Sequence, residues 1–307
     1  MTRPVDAAMD EERPEKRTMR DFWADAAESR QDSFDGSVPL FVTLSGAEGR
    51  DIQVLVDRQL IELTEVGGIA QQDQRKVVAI ETDPMAVLNL SSRFPGLKIL
   101  EQRFESLVAG TAPTAWPKGQ NKECCRGILI NLDLNSALMS QVWEGQVVFP
   151  VLEWIRKLSQ LHAEAPRIEW GLCLTLHGEI NWTTETCQMV MSFLGENFAR
   201  EPEFGDDCRV FFGDTLFNEV EGRAVSFTAL SRQNQQKVIM ALVPKKISHL
   251  VHNQGWHVIT TRNIRYGGKG EERTVVLSNC CISDTNQEPL QLLRLDCRML
   301  GIEVSLG

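Results

Sequence analysis

The sequence predicts an α/β fold, an open sheet of mostly parallel strands that closes in a C-terminal antiparallel hairpin. Three observations predict it. Strand-like apolar runs alternate with helix-periodic stretches five times from Ser37 onward, and parallel strands need such helical crossovers. A Gly-rich turn, Tyr266-Gly267-Gly268-Lys269-Gly270, separates the last two strand-like runs, as in a hairpin. The segment from Leu40 to Pro84 reads strand, glycine turn, helix, then a strand closing on a carboxylate. That is the layout of a nucleotide-type ligand site on an open α/β sheet.

The elements follow in order. Leu40 to Leu44 is a buried strand that breaks into Ser45-Gly46-Ala47-Glu48-Gly49, and a periodic stretch with Ile52, Leu55, Val56 and Leu60 follows. Val77 to Ile80 is the second strand; it ends on Glu81, with Asp83 placed to cap a helix that starts at Pro84. The gap from Gly46 to Glu81 exceeds the roughly 20 residues of a compact unit, so an insertion such as Glu65 to Arg75 is required. Leu97 to Leu100 is a short third strand, with a helix through Leu107, and Gly127 to Asp133 is the fourth. An amphipathic helix is expected over Val147 to Ala163, and a fifth strand over Trp170 to Leu176. Thr183 or Thr184 caps the next helix, Glu201 to Gly222 looks less regular, and a helix over Val238 to Asn253 stops at Gly255. Trp256 to Thr261 and Thr274 to Ile282 are the hairpin strands. The domain plan is a charged arm over 1–36, partly disordered or helical, an α/β domain over 37–284, and a Leu-rich helical tail over 285–307. In the arm, Met19, Phe22, Trp23 and Ala26 fall at helical spacing, so a short helix docks there and the remainder is available to a protein partner.

The chain has 307 residues, 42% of them hydrophobic and 24% charged, an ordinary balance for a globular protein. No apolar stretch approaches the roughly 20 residues that span a bilayer, and the charged N-terminus lacks the apolar core of a secretory signal. Eight cysteines without CxxC spacing fit reduced thiols in a cytoplasm. The net charge of -10 argues against coating nucleic acid through bulk positive charge. It is uneven, though. Arg223 to Arg273 holds nine basic residues opposed only by Glu271 and Glu272, which is either a solvated face or a patch for phosphates or an acidic partner.

Each candidate residue has a plain structural alternative. Gly46 and Gly49 form either a cofactor-facing loop or a tight strand-to-helix turn. Glu48 faces cofactor or solvent, or caps the helix. Glu81 is a ribose ligand or a solvated strand end, and Asp83 is read as a cap. Asp133 and Asn135 lie at the carboxyl end of a strand, where open sheets bind ligands. His177 and Glu179 point to the same edge or serve the loop. His249 and His252 share a helix face without a third ligand, so no metal is expected. Trp154, Trp170 and Trp256 are read as core.

On these residues the chain resembles the class I S-adenosyl-L-methionine-dependent methyltransferases, with their Rossmann-like sheet, from about Ser37 to Asp284. The resemblance implies that Ser45, Gly46, Glu48 and Gly49 lie against the amino-acid part of S-adenosyl-L-methionine and that Glu81 holds its ribose. It implies further that Arg103 and Phe104 flank adenine, and that Asp133 meets the cofactor and, with Asn135, faces the methyl acceptor as the catalytic pair. The basic hairpin residues Arg262, Arg265 and Lys269 would then bind a nucleic acid or other anionic substrate. The overall look is also similar to members that act in bacterial modification and antiviral defence. The first motif departs from a full GxGxG, and strand four lacks both the Pro-Pro-aromatic sequence and the Pro-adjacent cysteine of base methylases. A catalytically silent subunit that serves as an interaction scaffold therefore stands as the alternative, and a nicotinamide dinucleotide enzyme as a weaker one.

Overall fold

The computed structural model describes residues 20–21, 23–28, 40–112, 127–143, 146–163, 169–177, 182–223, 225–258, 264–268, 271–275 and 282–284. The elements are α1 (20–21 and 23–28), β1 (Leu40–Thr43), α2 (Arg50–Asp57), β2 (Val77–Ile80), α3 (Pro84–Arg93), β3 (Lys98–Leu100), α4 (Phe104–Ala109) and β4 (Gly127–Ala137). Then come β5 (Gln141–Trp143), β6 (Gln146–Val148), α5 (Pro150–Ala163), β7 (Glu169–His177), α6 (Thr184–Arg200), α7 (Pro202–Phe212), α8 (Asp214–Glu221) and α9 (Arg232–His252). Four short strands close the described chain: β8 (Trp256–Val258), β9 (Ile264–Gly268), β10 (Glu271–Val275) and β11 (Ile282–Asp284).

The expected sheet is present. Its order is β3-β2-β1-β4-β7, and β1 pairs in parallel with both β2 and β4, as β2 does with β3. This is a Rossmann-like arrangement, in which the strand order reverses between β1 and β4. The hairpin is antiparallel where β8 meets β11, Ile282 opposite Val258 and Asp284 opposite Trp256. Among the described residues β8 and β11, and β9 and β10, form separate two-stranded ladders instead of extending the main sheet.

Packing divides the chain into two compact units. The first holds the sheet as far as Leu134 of β4 and Leu174 of β7, together with the chain up to β4. Its β1 and β2 are buried along their whole length, as the unbroken apolar runs Leu-Phe-Val and Val-Val-Ala-Ile require of strands covered on both faces. The long stretch between α2 and β2 is ordered by Asp73, buried, whose Oδ2 accepts from the Glu62 amide at 2.7 Å while Lys76 Nζ lies 2.6 Å from Oδ1. A single bridge, Leu63 to Ile69, closes it. Asp83 caps α3 as expected, accepting from the Met85 amide at 2.8 Å, with Pro84 in the first turn.

In this unit α1 is bound in. The Trp23 ring is 2% exposed and meets Phe41 edge-on at 6.1 Å, and Arg58 faces Asp21, Asp25 and Glu28 within 3.8 Å. The helix 20–28 is thus part of the folded core; the remainder of the arm, and the tail 285–307, lie outside the described residues.

The second unit is mainly helical. Residues 201–222, expected to be irregular, fold as α7 and α8. Pro202 opens α7 and Gly213, at φ 79°, separates the two helices. The helical signal was present as Phe204, Cys208 and Phe212 at intervals of four, then Leu216 and Val220, all buried. Phe198 gathers this cluster, with Phe217 stacked at 4.7 Å and Phe204 at 5.7 Å. α9 starts at Arg232, capped by Ser231, six residues before the expected start, and carries Pro244 in its interior. Residues 141–143 and 146–148 form the antiparallel pair β5–β6, although a helix is expected from Val147; β-branched Val147 and Val148 favour a strand, and α5 waits for Pro150. Cys173, Cys187 and Cys208 are buried, and burial pushes the Cys187 thiol up, which keeps it protonated.

Candidate functional site

The site is built at the carboxyl ends of β1 and β2. Thr43, the last residue of β1, sits opposite Ala79 of β2 in parallel register, so Ser45–Gly49 and Glu81 leave neighbouring strands at the same sheet edge. Gly46 and Gly49 both adopt the left-handed conformation, at φ 58° and 57°. The two glycines do different work. A Cβ on Gly49 would lie 2.6 Å from Phe94 Cε2 and 2.7 Å from Leu90 Cδ2, so this glycine is fixed by close packing on α3. A Cβ on Gly46 would meet nothing within 4 Å among the described residues; it is an open corner there.

Ser45 lies between strand and corner, 9% exposed. Its Oγ is buried and has no hydrogen-bond partner among the described residues, which costs about 1–3 kcal/mol unless another group satisfies it. Glu48 is turned to α3 instead. Arg93 Nη1 donates to its carbonyl at 2.7 Å and lies 3.6 Å from its carboxylate, while Nη2 reaches Gln53 at 3.3 Å. Arg93 therefore clamps the loop from outside, a role the sequence reading missed.

Glu81 Oε1 accepts from the amides of Thr82 and Asp83 at 2.6 and 2.9 Å. These bonds hold the carboxylate at the strand tip, and among the described residues its second oxygen accepts none. Arg103 is exposed and precedes α4. Phe104 is 5% exposed and belongs to the core. Asp133 is exposed, but β4 continues past it to Ala137, so the expected loop is strand. Of Asn135 the backbone alone is described, in β4 just beyond the first unit.

Sequence spacing gave no sign of the polar group beneath the loop. Asp51 Oδ2 accepts from Thr43 Oγ1 and from Asn131 Nδ2, both at 3.0 Å. Asn131 stands opposite Thr43 in register across β1 and β4. A carboxylate two residues after a glycine corner is ordinary in sequence; only the strand pairing makes the group visible.

The basic stretch is largely spent inside the second unit where it is described. Lys245 is 1% exposed and pairs with Glu201, with the Phe204 ring 4.7 Å away. Lys246 lies 3.6 Å over Phe193, and burial lowers its pKa, partly countered by Glu196. Arg223 pairs with Glu196 at 3.4 Å, and Lys237 donates to the Phe212 carbonyl at 3.5 Å. The three lysines are internal fastenings, and Arg223 forms an exposed ion pair. Arg262 and Lys269 lie outside the described residues, as does Glu179, and for Arg265 and His177 the backbone alone is described.

His249 sits 3.8 Å from Glu201 and edge-on to Phe193 at 5.3 Å. Burial lowers its pKa first, Lys245 and Lys246 add to this, and Glu201 opposes it. No group of three metal-ligating side chains occurs among the described residues. Because the folded state resists protonating His249, the unfolded chain binds more protons just below pH 6.5, and stability falls as pH drops through that window. His249→Gln is expected to flatten this slope below about pH 6.5, read from urea midpoints; an unaltered slope would assign it to other groups.

No protein-family model matches the chain, and no curated protein matches it. Among solved structures it is similar to the crystal structure of a single-residue variant of the 16S rRNA (adenine(1408)-N(1))-methyltransferase from Catenulisporales acidiphilia. The identity is 11% and the TM-score 0.33, over 86% of this chain and 92% of that one. No described helix is long and apolar enough to cross a membrane.

Proposed function

We propose that the chain is an S-adenosyl-L-methionine-dependent methyltransferase that acts in the cytoplasm on a nucleic acid or another anionic substrate. One observation supports this most. The open corner at Gly46, the Ser45 hydroxyl without a partner among the described residues and the half-used Glu81 carboxylate lie on adjacent parallel strand ends of a Rossmann-like sheet. A ligand with polar groups for Ser45 and paired hydroxyls for Glu81 fits that donor and acceptor set. Ser45 and Gly46 would hold the amino-acid part, Glu81 the ribose, and Arg103 the adenine edge, with Phe104 supporting from the core. Glu48 and Gly49 shape the loop through Arg93, Leu90 and Phe94 rather than through the ligand.

When bound, S-adenosyl-L-methionine supplies a methyl group already activated by its sulfonium. The chain's own task is then alignment and exclusion of water. Asp133 is placed to orient the acceptor or take its proton, and Asn135 follows it on the same strand. Anionic substrate would be held by Arg262, Arg265 and Lys269. The second reading, a silent subunit, is favoured by the internal use of Asn131, which leaves Asp133 to face an acceptor without it.

The test is methyl transfer from labelled donor to pooled DNA, RNA and protein, read by mass spectrometry. Label above that of Asp133→Ala supports an enzyme, and donor binding without transfer to any pool supports the silent subunit. If the substrate is a nucleic acid, Arg265→Ala with Lys269→Ala is expected to weaken binding and lower the salt slope by about 2. Unchanged affinity at low salt would exclude the hairpin as its contact.

A further inference from the structure

We propose that Asp51 is the positioning residue of the ligand loop and that it makes the helix 20–28 part of the same frame. The proposal deepens the function above and rests on it for the identity of the ligand. Asp51 stands two residues after Gly49, in the first turn of α2, where the helix dipole favours a carboxylate. Its bonds include three that tie the loop to its surroundings. Oδ2 takes Thr43 Oγ1 and Asn131 Nδ2, and Asn131 Nδ2 also reaches Thr43 Oγ1 at 3.4 Å, closing a ring. Oδ1 lies 3.8 Å from Arg20 Nε. Its carbonyl accepts the Trp23 indole N–H at 3.3 Å.

Thr43 and Asn131 are both buried, and they face each other where the strand order reverses, the place at which open α/β sheets bind ligands. The loop between β1 and α2 has two glycine corners, so its own backbone gives it little stiffness. One end is held by β1. The other end is held by Asp51, which fixes the start of α2 against both central strands. A loop ordered during folding does not have to be ordered when the ligand arrives, and that raises affinity. Arg20 and Trp23 attach α1 to the same residue, so docking of α1 and binding of the ligand are linked, and the linkage is reciprocal.

Asp51→Asn keeps the shape and one acceptor oxygen but removes the charge that faces Arg20. In the full chain, hydrogen exchange of the Ser45–Gly49 amides is expected to quicken about tenfold, while α6 and α9 stay as in the wild type. Titration with S-adenosyl-L-homocysteine is expected to show about tenfold weaker binding for Asp51→Asn and for Arg20→Ala, from loss of one charge-assisted contact. Arg20→Lys is expected to restore it, which a merely destabilised chain would not do. Unchanged loop exchange in Asp51→Asn, or weakening in Arg20→Ala that Arg20→Lys leaves in place, overturns the role. If the wild type gives no heat, the adenosyl reading fails, and the exchange data alone then support or overturn the positioning role.

Discussion

Gly49→Ala is expected to destabilise the first unit by about 3 kcal/mol. Two penalties combine. A side chain in the left-handed region costs roughly 1–2 kcal/mol, and forcing a methyl into packed surroundings costs about 1–3 kcal/mol. The new Cβ would have to displace both the Phe94 ring and the Leu90 methyl, at 2.6 and 2.7 Å. These two side chains are buried, so neither has solvent to retreat into. Gly46→Ala is the matched control, since it pays the backbone penalty of roughly 1–2 kcal/mol alone and its Cβ enters open space. Chemical denaturation followed by tryptophan fluorescence reads both, because Trp23 lies in this unit. Equal losses for the two variants would show that the contact with α3 is not what fixes Gly49. In ligand binding the order reverses, and Gly46→Ala is expected to be the more harmful of the two relative to its stability.

Much of this fold is legible in the residues because local signals and burial agree. The runs Leu40–Thr43 and Val77–Ile80 are wholly apolar apart from Thr43, and both are central strands. Asp83-Pro84 states a helix start in two residues, and the structure uses both. Other parts depend on partners distant in sequence. The helices over 202–221 looked irregular because Gly205 and Gly213 interrupt the pattern; at Gly205 a Cβ would lie 3.2 Å from the Phe198 carbonyl, a tight contact. Lys245 and Lys246 read as surface charge, yet Glu201, Phe204 and Phe193 draw them inward. A long alkyl stem makes that possible, and no local pattern announces it.

The candidate site divides the same way. Gly46, Ser45 and Glu81 stand where the sequence placed them, on neighbouring strand ends. The polar end of β4 differs, because Asn131 turns to Thr43 and Asp51 and the strand runs on to Ala137. Its fate is decided by pairing with β1, a contact across 88 residues. Spacing along the chain carries no trace of it.

Glu81 is the proposed acceptor for a ligand's paired hydroxyls. Removing a carboxylate that takes two such bonds costs about 1.5–3 kcal/mol for each, so Glu81→Ala is expected to weaken S-adenosyl-L-homocysteine binding about a hundredfold or more. Because Ala also releases the amides of Thr82 and Asp83, Glu81→Gln is the sharper variant. It can keep those turn bonds and is expected to weaken binding about tenfold, with the unfolding midpoint unchanged. Calorimetric titration of the wild type, Glu81→Gln and Glu81→Ala with S-adenosyl-L-homocysteine measures all three. Graded loss in that order, from a wild type that binds in the micromolar range, is the predicted result. Equal affinity in the three proteins, or no heat from the wild type, would contradict the account.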